Sequence, residues 1–402
     1  MVFHGVGDIR LEDVDPPKIL HPTDAIIRIT ASAICGTDLH MIRGTMAGME
    51  PGTILGHEAV GVVEELGSDV RNFAIGDRVV VLSTIACGYC SYCRAGYYSQ
   101  CDTANPHGKR AGTAFFGGPG PTGPFHGLQA EKARIPYANI GMLKLPDEIS
   151  NDQAIMISDI FPTGWFGADA AEIHTGDTVA VFGCGPVGQF AIAAAKFMGA
   201  SRILAVDRLE DRLDMARRQG AECINFETDD PVETIVNITG GIGVDRAIDA
   251  VGIDAECSAH GPATPSEDLV QQFKTQVKEI APEQNPDEDL WLPGSAPGQV
   301  LKWAVDALAK AGTLSIIGVY PTAMTYFPIG QAMNKNLTLK MGNCPHRRYA
   351  PDLIELVRTG AIDPTKILSM REPLSDAISA FKHFDRREPG WVKVELEPQE
   401  AG

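Results

Sequence analysis

Four cysteines lie close together in the chain, at Cys87, Cys90, Cys93 and Cys101. Two residues separate each of the first three from the next, and seven separate the third from the fourth. Four thiolates at this spacing favour a closed tetrahedral site for a structural zinc ion. The alternative is a pair of disulfides in a secreted domain, but no signal peptide precedes the motif and the other cysteines stand singly. We therefore predict a structural zinc site in this segment, here called the cysteine lobe (residues 87–101).

A second set of metal-binding side chains precedes the cysteine lobe. Cys35 opens the run CGTDLH at residues 35–40, and His57 and Glu58 follow Gly56. A catalytic zinc site takes three protein ligands and leaves the fourth position to water or substrate. Taken alone, Cys35 would more readily be a buried thiol and His57 a turn residue. Their combination with the cysteine lobe predicts a catalytic zinc.

A glycine-rich turn provides a candidate nucleotide site. Gly183, Gly185 and Gly188, with Pro186 and Val187 between them, fit the pattern G-x-G-x-x-G. The turn follows a predicted strand and opens a predicted helix, which is the context that gives this pattern its meaning. Pyrophosphate would then bind at the positive end of the helix. The alternative is a plain turn in an α/β domain that binds no nucleotide.

Asp207 lies nineteen residues after Gly188, at the end of the next predicted strand. An acidic residue there binds the adenosine ribose hydroxyls and repels a 2′-phosphate, which favours NAD over NADP. Arg208 weakens this prediction, because arginine can bind a phosphate. Arg208 and Arg212 are alternatively expected to flank the adenine ring.

The texture of the chain changes near residue 160. Before it, short apolar runs between Gly, Pro and Asp clusters predict a β-rich domain. After it, strands alternate with helices, which predicts a parallel, doubly wound sheet. The main predicted elements are strands Ala25–Ile29, Ala59–Glu64, Arg78–Val81, Thr178–Phe182, Ile203–Asp207, Ala247–Ala250, Thr313–Val319 and Trp391–Leu396, and helices Gly188–Phe197, Arg208–Gln219, Glu267–Ile280 and Ala350–Thr359.

Composition narrows the class of partner. The chain has 402 residues and a formal net charge of −18, which disfavours nucleic acids and anionic membranes as partners. Its apolar stretches are too short to span a bilayer. With no export signal, we expect a cytoplasmic protein.

Together these motifs resemble the zinc-dependent medium-chain alcohol dehydrogenases, in order and over essentially the whole chain. The resemblance implies an α/β fold with a GroES-like β-rich catalytic domain over 1–160 and a Rossmann NAD-binding domain over 161–344, with a return to the catalytic domain over 345–402. An insertion at about 254–298 is expected either to cover the cofactor or to form an assembly contact. The resemblance also implies two Zn²⁺ ions per chain and NAD.

The third ligand of the catalytic zinc departs from the animal alcohol dehydrogenases, which have a second cysteine there. The matching stretch, SDIFPTG at residues 158–164, offers Asp159 instead. This pattern and the insertion are similar to the glutathione-independent formaldehyde dehydrogenases and dismutases. Alternatively, Asp159 caps a helix or supports another ligand. Glu58 is expected beside the metal, with coordination when water leaves.

The resemblance implies a proton path from a metal-bound alcohol through Thr37 and the nicotinamide ribose to His40, which we expect to face solvent. The alternative for His40 is an ordinary loop histidine. Further expected cofactor contacts are Thr163, Val251, Ile317, Val319 and Arg347.

The resulting prediction is an NAD-dependent dehydrogenase of formaldehyde or another small aldehyde or alcohol, active as a homodimer or homotetramer. A secondary-alcohol or polyol dehydrogenase is the alternative enzyme. A non-catalytic NAD-binding protein is the alternative from another class, but it would have no chemical need for Cys35, Thr37, His40 and His57 together.

Overall fold

The computed structural model describes residues 1–283, 285 and 289–398. Residues 284 and 286–288 of the predicted insertion, and 399–402 of the predicted C-terminal return, lie outside the described residues. The strands are β1 (Val2–Gly5), β2 (Asp8–Arg10), β3 (Ala25–Ile34), β4 (Thr53–Ile54), β5 (Ala59–Leu66), β6 (Arg78–Val81), β7 (Lys132–Ile135), β8 (Met142–Lys144), β9 (Thr178–Phe182), β10 (Arg202–Asp207), β11 (Glu222–Asn225), β12 (Val244–Asp249), β13 (Leu308–Ile316), β14 (Thr338–Met341), β15 (Met370–Pro373) and β16 (Val394–Glu397).

The helices are α1 (Gly36–Ile42), α2 (Ser91–Arg94), α3 (Ala138–Gly141), α4 (Asn151–Ser158), α5 (Ile160–Ala170), α6 (Pro186–Phe197), α7 (Glu210–Gln219), α8 (Pro231–Ile238), α9 (Glu267–Ile280), α10 (Gln299–Ala307), α11 (Ile329–Asn334), α12 (His346–Arg358) and α13 (Ala377–Asp385). Within the described residues, no helix combines the length and the apolar character needed to cross a membrane.

The chain forms two compact units. The first comprises Met1–Pro162, the described residues of Glu283–Leu292 and those of Cys344–Gly402. The second comprises Thr163–Pro282 and Pro293–Asn343. The stretch predicted as a single insertion is therefore divided between the units. Leu290 and Trp291 pack into a hydrophobic cluster of the first unit, because their apolar side chains find buried partners there.

The first unit is built on a mainly antiparallel sheet in the order β15-β16-β3-β5-β6-β8, with β7 also paired to β3. Strand β3 is mainly apolar, and most of its residues are buried because its side chains pack into two hydrophobic clusters, with Ala25 and Ile27 in one and Ile34 in the other. Strand β16 pairs with β3 so that Val394 lies opposite Ile34. This pairing brings residue 393 next to the start of α1.

The second unit contains a parallel sheet in the order β11-β10-β9-β12-β13-β14. Strand β9 is almost wholly buried, since apolar clusters cover both faces of the sheet. The predicted α/β fold, with a β-rich unit and a doubly wound parallel-sheet unit, is confirmed.

Strand β13 differs from the predicted Thr313–Val319. It begins five residues earlier, at Leu308, and ends at Ile316. Ala311 has a positive φ of 60°, which marks an irregular backbone that the sequence pattern does not reveal. Ile317 and Val319 consequently follow the strand rather than lie within it.

Candidate zinc sites and nucleotide site

The cysteine lobe gathers its four sulfurs without any bond between them. Cys87 Sγ lies 4.0 Å from Cys93 Sγ, and Cys90 Sγ lies 3.9 Å from Cys101 Sγ. A tetrahedral zinc with Zn–S bonds of about 2.3 Å holds its sulfurs about 3.8 Å apart. All nine cysteines of the chain, each in the described part, are free thiols. The sulfur spacing therefore fits a zinc ion and contradicts the disulfide alternative.

Backbone amides also prepare the cysteine lobe for anionic sulfur. The N–H groups of Tyr89 and Cys90 point at Cys87 Sγ from 3.5 and 3.4 Å. Burial raises the pKa of the Cys87 thiol, but these N–H groups together with Thr103 and Cys101 bring it below its usual value. Burial and the neighbouring sulfurs raise the pKa values of Cys93 and Cys101. Four thiolates therefore need a dication to coexist here, which zinc would supply.

A second metal-ligand cluster joins Cys35, His57, Glu58 and Asp159, whose ligand atoms all lie within 4.8 Å of one another. Asp159 Oδ2 lies 3.7 Å from Cys35 Sγ and 3.4 Å from His57 Nε2. Ordinary zinc bond lengths in a tetrahedron predict separations of about 3.6 Å for sulfur and oxygen and about 3.4 Å for nitrogen and oxygen. The three donors are thus spaced for one zinc ion.

Each donor is positioned by the end of a regular element. Cys35 follows β3 and caps the N-terminus of α1, His57 precedes β5, and Asp159 lies between α4 and α5. Ser158 connects these elements, because its Oγ donates to Val81 O at 2.5 Å and accepts the Ala59 N–H at 3.1 Å. The cluster therefore rests on strands and helix ends rather than on a long loop.

Asp38 orients His57. Its Oδ1 lies 3.2 Å from His57 Nδ1, and its Oδ2 accepts the Cys35 N–H at 3.0 Å and a Gln129 side-chain N–H at 3.1 Å. With a proton on Nδ1, the Nε2 lone pair of His57 faces the cluster, as a metal ligand requires. Burial lowers the pKa of His57, but Asp38, Cys35 and Asp159 raise it well above its usual range. Sequence reasoning assigned no role to Asp38, although its position three residues after Cys35 is that of a capping-box acid.

Glu58 and Lys393 form a buried ion pair. Lys393 Nζ lies 2.7 Å from both Glu58 oxygens and donates to Ile34 O at 3.0 Å. Both side chains are 0% exposed. Burial raises the pKa of Glu58, and the Lys393 ammonium opposes that rise. In this structure Lys393 engages both oxygens of Glu58, so coordination of zinc by Glu58 stays a prediction.

His346, at the start of α12, contacts the Asp159 oxygen that does not lie against Cys35 and His57. Its Nε2 lies 2.5 Å from Asp159 Oδ1, and its Nδ1 lies 3.2 Å from Thr84 Oγ1. Burial lowers the pKa of His346, but Cys344 and Asp159 raise it to about 10. Burial raises the pKa of Asp159, yet His346 and His57 bring it well below its usual range. Sequence reasoning missed His346, because 187 residues separate it from Asp159.

The two predicted proton-path residues lie on α1. Thr37 is half-buried, whereas His40 is only 3% exposed and its Nδ1 lies 3.0 Å from Thr45 Oγ1. The expectation that His40 faces solvent is therefore wrong. Helix α1 packs into the core of the first unit, where its own residues Leu39, Met41 and Ile42 are buried.

The glycine-rich turn has the shape that a dinucleotide needs. Gly183 has a φ of +88°, and a Cβ at Gly188 would lie 1.8 Å from Gly183 O. Neither position therefore accepts a side chain. A Cβ at Gly185 would meet only Arg212 Nη1, at 3.6 Å, so that face of the turn is open to a phosphate. Pro186 and Val187 begin α6, whose free N–H groups suit an anion.

Asp207 is bound to the backbone around this turn. Its Oδ2 accepts the Cys184 N–H at 2.7 Å, and its Oδ1 accepts the N–H groups of Arg208 and Leu209 at 2.7 and 3.0 Å. The side chain of Arg208 forms an ion pair with Glu256, which lies in the predicted insertion. Arg208 is therefore already paired with a carboxylate, whereas Arg212 lies over the glycine turn.

The remaining predicted cofactor contacts fall into two groups. Val251, Ile317 and Val319 surround the end of β12, where Asp249 accepts the Val251 N–H at 2.9 Å through its side chain and the Ile317 N–H at 3.0 Å through its carbonyl. Thr163 lies on α5. Arg347 lies in the first unit and donates to Met142 O at 3.0 Å, so its predicted contact with pyrophosphate stays a prediction.

Comparison with known proteins agrees with this fold and with a zinc-binding dehydrogenase. The chain matches the alcohol dehydrogenase GroES-like domain over residues 21–147 and the zinc-binding dehydrogenase domain over 186–259. The uncharacterized zinc-type alcohol dehydrogenase-like protein AdhB of Bacillus subtilis is 37% identical over 402 residues, which is 99% of each chain. The glutathione-independent formaldehyde dehydrogenase of Pseudomonas aeruginosa is 34% identical over 407 residues, covering 97% of this chain and 95% of that protein.

A solved structure gives the same result. Alcohol dehydrogenase TADH from Thermus sp. ATN1 superposes with a TM-score of 0.80 at 31% identity, covering 99% of each chain. The two-unit fold with its two candidate metal sites is that of a medium-chain dehydrogenase. The chain belongs to the zinc-type alcohol dehydrogenase family, as the sequence resemblance indicates.

Proposed function

We propose that the protein is an NAD-dependent oxidoreductase. It would transfer hydride to NAD from a small alcohol or from a hydrated aldehyde such as hydrated formaldehyde. The donor set of Cys35, His57 and Asp159 carries this proposal, because the spacing of the three atoms suits one zinc ion. The formaldehyde dehydrogenase relative at 34% identity supports the aldehyde part.

These three side chains would hold the metal. When bound, zinc polarises the substrate oxygen and NAD accepts the hydride. Cys35 and Asp159 together carry the two negative charges that balance a dication. A carboxylate oxygen donates less charge than a thiolate sulfur, so this set favours a stronger Lewis acid than two cysteines and a histidine would.

Proton transfer falls to α1. The Thr37 hydroxyl would accept the substrate proton, and His40 would take it onward, since an imidazole gains and releases protons near neutral pH. Because His40 is buried, Thr45 is part of this proposal: its hydroxyl fixes the His40 ring through the 3.0 Å contact with Nδ1.

Charge around Asp207 supports NAD rather than NADP. Asp207 and Glu256 place two carboxylates near the end of β10, and Glu256 neutralises Arg208. A 2′-phosphate would meet the Asp207 carboxylate there, with Arg208 already paired to Glu256. The start of the insertion thus lies beside the proposed adenosine site, while its roles as a cofactor cover and as an assembly contact both stay open. Cytoplasmic location and homo-oligomeric assembly also stay predictions.

The proposal is tested by following NAD and NADP reduction with formaldehyde, short alcohols, bulky aldehydes, secondary alcohols and polyols, without glutathione. We expect turnover of the small substrates with NAD and two zinc ions per chain. Turnover of secondary alcohols or polyols alone would select the alternative enzyme. A protein with two zinc ions and no turnover of any of these substrates would contradict the substrate class.

The proton path makes a separate prediction. His40→Gln should lower kcat about tenfold or more at pH 6 and much less at pH 9, because solvent hydroxide replaces the internal base only when it is abundant. His21→Gln, which changes an exposed histidine, is the control and should leave the pH profile unchanged. An unaltered pH profile in His40→Gln would remove His40 from the path.

A further inference from the structure

The two oxygens of Asp159 face different partners. Oδ2 lies against Cys35 Sγ and His57 Nε2, whereas Oδ1 lies 2.5 Å from His346 Nε2. One oxygen of the carboxylate therefore lies among the candidate metal ligands, and the other is engaged by His346. A carboxylate held in this way would bind a metal through one oxygen only.

Thr84 and Asp159 bind the two ring nitrogens of His346. A carboxylate oxygen can only accept, so His346 must carry a proton on Nε2 to bond with Oδ1. Nδ1 shares a hydrogen bond with the Thr84 hydroxyl at 3.2 Å, donating to its oxygen when the ring is charged and accepting from it when the ring is neutral. Thr84, His346 and Asp159 are 7%, 3% and 8% exposed, so water competes little for these bonds. The three residues form a continuous chain of hydrogen bonds, in which His346 donates to Asp159 in either state of the ring.

The fold gives His346 a fixed position. It is the first residue of α12, and this helix packs against α4, which ends immediately before Asp159. The His346 ring and the Asp159 carboxylate are thus attached to two helices that contact each other. A rigid support of this kind limits rotation of the carboxylate.

We infer that His346 is a positioning residue that holds Asp159 as a one-oxygen zinc ligand. It acts by donating from Nε2 to Oδ1, with Thr84 fixing its ring. This inference rests on the proposed zinc site at Cys35, His57 and Asp159. It assigns His346 no contact with substrate. Loss of the donor frees Oδ1 to turn towards the metal, which expands the coordination and weakens the site.

Metal affinity and a spectroscopic signature test this role. We would compare the wild type with His346→Leu, which removes the donor, His346→Gln, which returns an N–H near Nε2, and Thr84→Val. The first readout is the release of zinc to a chelator from the site at Cys35, His57 and Asp159, here called the second site. The zinc of the cysteine lobe serves as the internal reference. The second is the visible spectrum of protein that carries cobalt at the second site and zinc in the cysteine lobe, because cobalt bands report coordination number and geometry.

We expect His346→Leu to weaken zinc binding about 10- to 100-fold and to reduce the cobalt band intensity as coordination rises from four to five. His346→Gln should restore both readouts substantially, and Thr84→Val should weaken binding about threefold or more. Wild-type values for the leucine variant in both readouts would overturn the inference. Should that variant fail to fold, unchanged affinity in Thr84→Val would overturn it. A wild type with one zinc ion would instead contradict the proposed function.

Discussion

Asp159→Ala is expected to lose the zinc of the second site and keep the zinc of the cysteine lobe. The alanine removes both the oxygen between Cys35 and His57 and one of the two negative charges that balance the dication. Metal polarisation contributes several kcal/mol to the transition state, so we expect kcat/KM to fall about 1,000-fold or more. Metal analysis should then give one zinc ion per chain instead of two.

Two further variants separate charge from shape. Asp159→Asn keeps the size but loses the anion, and it should bind zinc weakly. Asp159→Cys returns an anionic donor and should recover much of the metal content. Asp152→Ala alters a carboxylate of the same helix region that pairs with Arg371 on the surface, and it should retain both zinc ions. Full zinc content in both Asp159→Ala and Asp159→Asn would show that Asp159 is not a ligand.

Lys393→Met is expected to destabilise the protein by about 3–5 kcal/mol, the usual result of removing one partner from a buried ion pair. Glu58 would be left fully buried without its counter-ion. Urea unfolding in saturating zinc measures the effect. Lys132→Met provides a matched control, since Lys132 lies 2.6 Å from Glu64 but both side chains are partly exposed. That surface pair should contribute about 0–1 kcal/mol.

The loss of unfolding free energy in Lys393→Met should be larger at high pH than at low pH. Burial raises the pKa of Glu58, and loss of the lysine raises it further. The folded variant then binds a proton more tightly than the unfolded chain, so its stability falls as pH rises. We expect the deficit to be large at pH 8 and smaller at pH 5. The double variant Lys393→Met/Glu58→Leu should recover most of the stability. A single variant as stable as the wild type would contradict the role of the pair.

Local patterns account for the features that the sequence predicts well. Strand β9 is a continuous apolar run between turns, and α9 has the predicted bounds because Ser266 caps an amphipathic stretch. The cysteine lobe, Cys35 and His57 were predictable from residue type and position, whereas Asp159 was implied by the family resemblance. Cys35, His57 and Asp159 come from separate segments, and the structure brings their ligand atoms together.

The supporting residues depend on contacts that no local pattern contains. Lys393 lies between Val392 and Val394, and this alternation of apolar and polar residues predicts that its side chain faces solvent. It is buried because β16 lies inside the sheet, between β15 and β3, with Glu58 beneath it. The local sequence around His40 likewise predicts a surface residue. His40 is buried because α1 packs among apolar side chains. In each case tertiary packing overrides the local pattern.

The pairing of β16 with β3 has a consequence for the order in which the protein matures during synthesis. The cysteine lobe is contained in fifteen consecutive residues, and its chelating group is complete once residue 101 has left the ribosome. The second cluster needs Lys393, which reaches Ile34 across 359 residues of chain. Because synthesis proceeds from the N-terminus, the charge of Glu58 lacks its Lys393 counter-ion until residue 393 has emerged. The nascent polypeptide is thus expected to take up its first zinc early in translation and to complete its second site only after Lys393 has emerged.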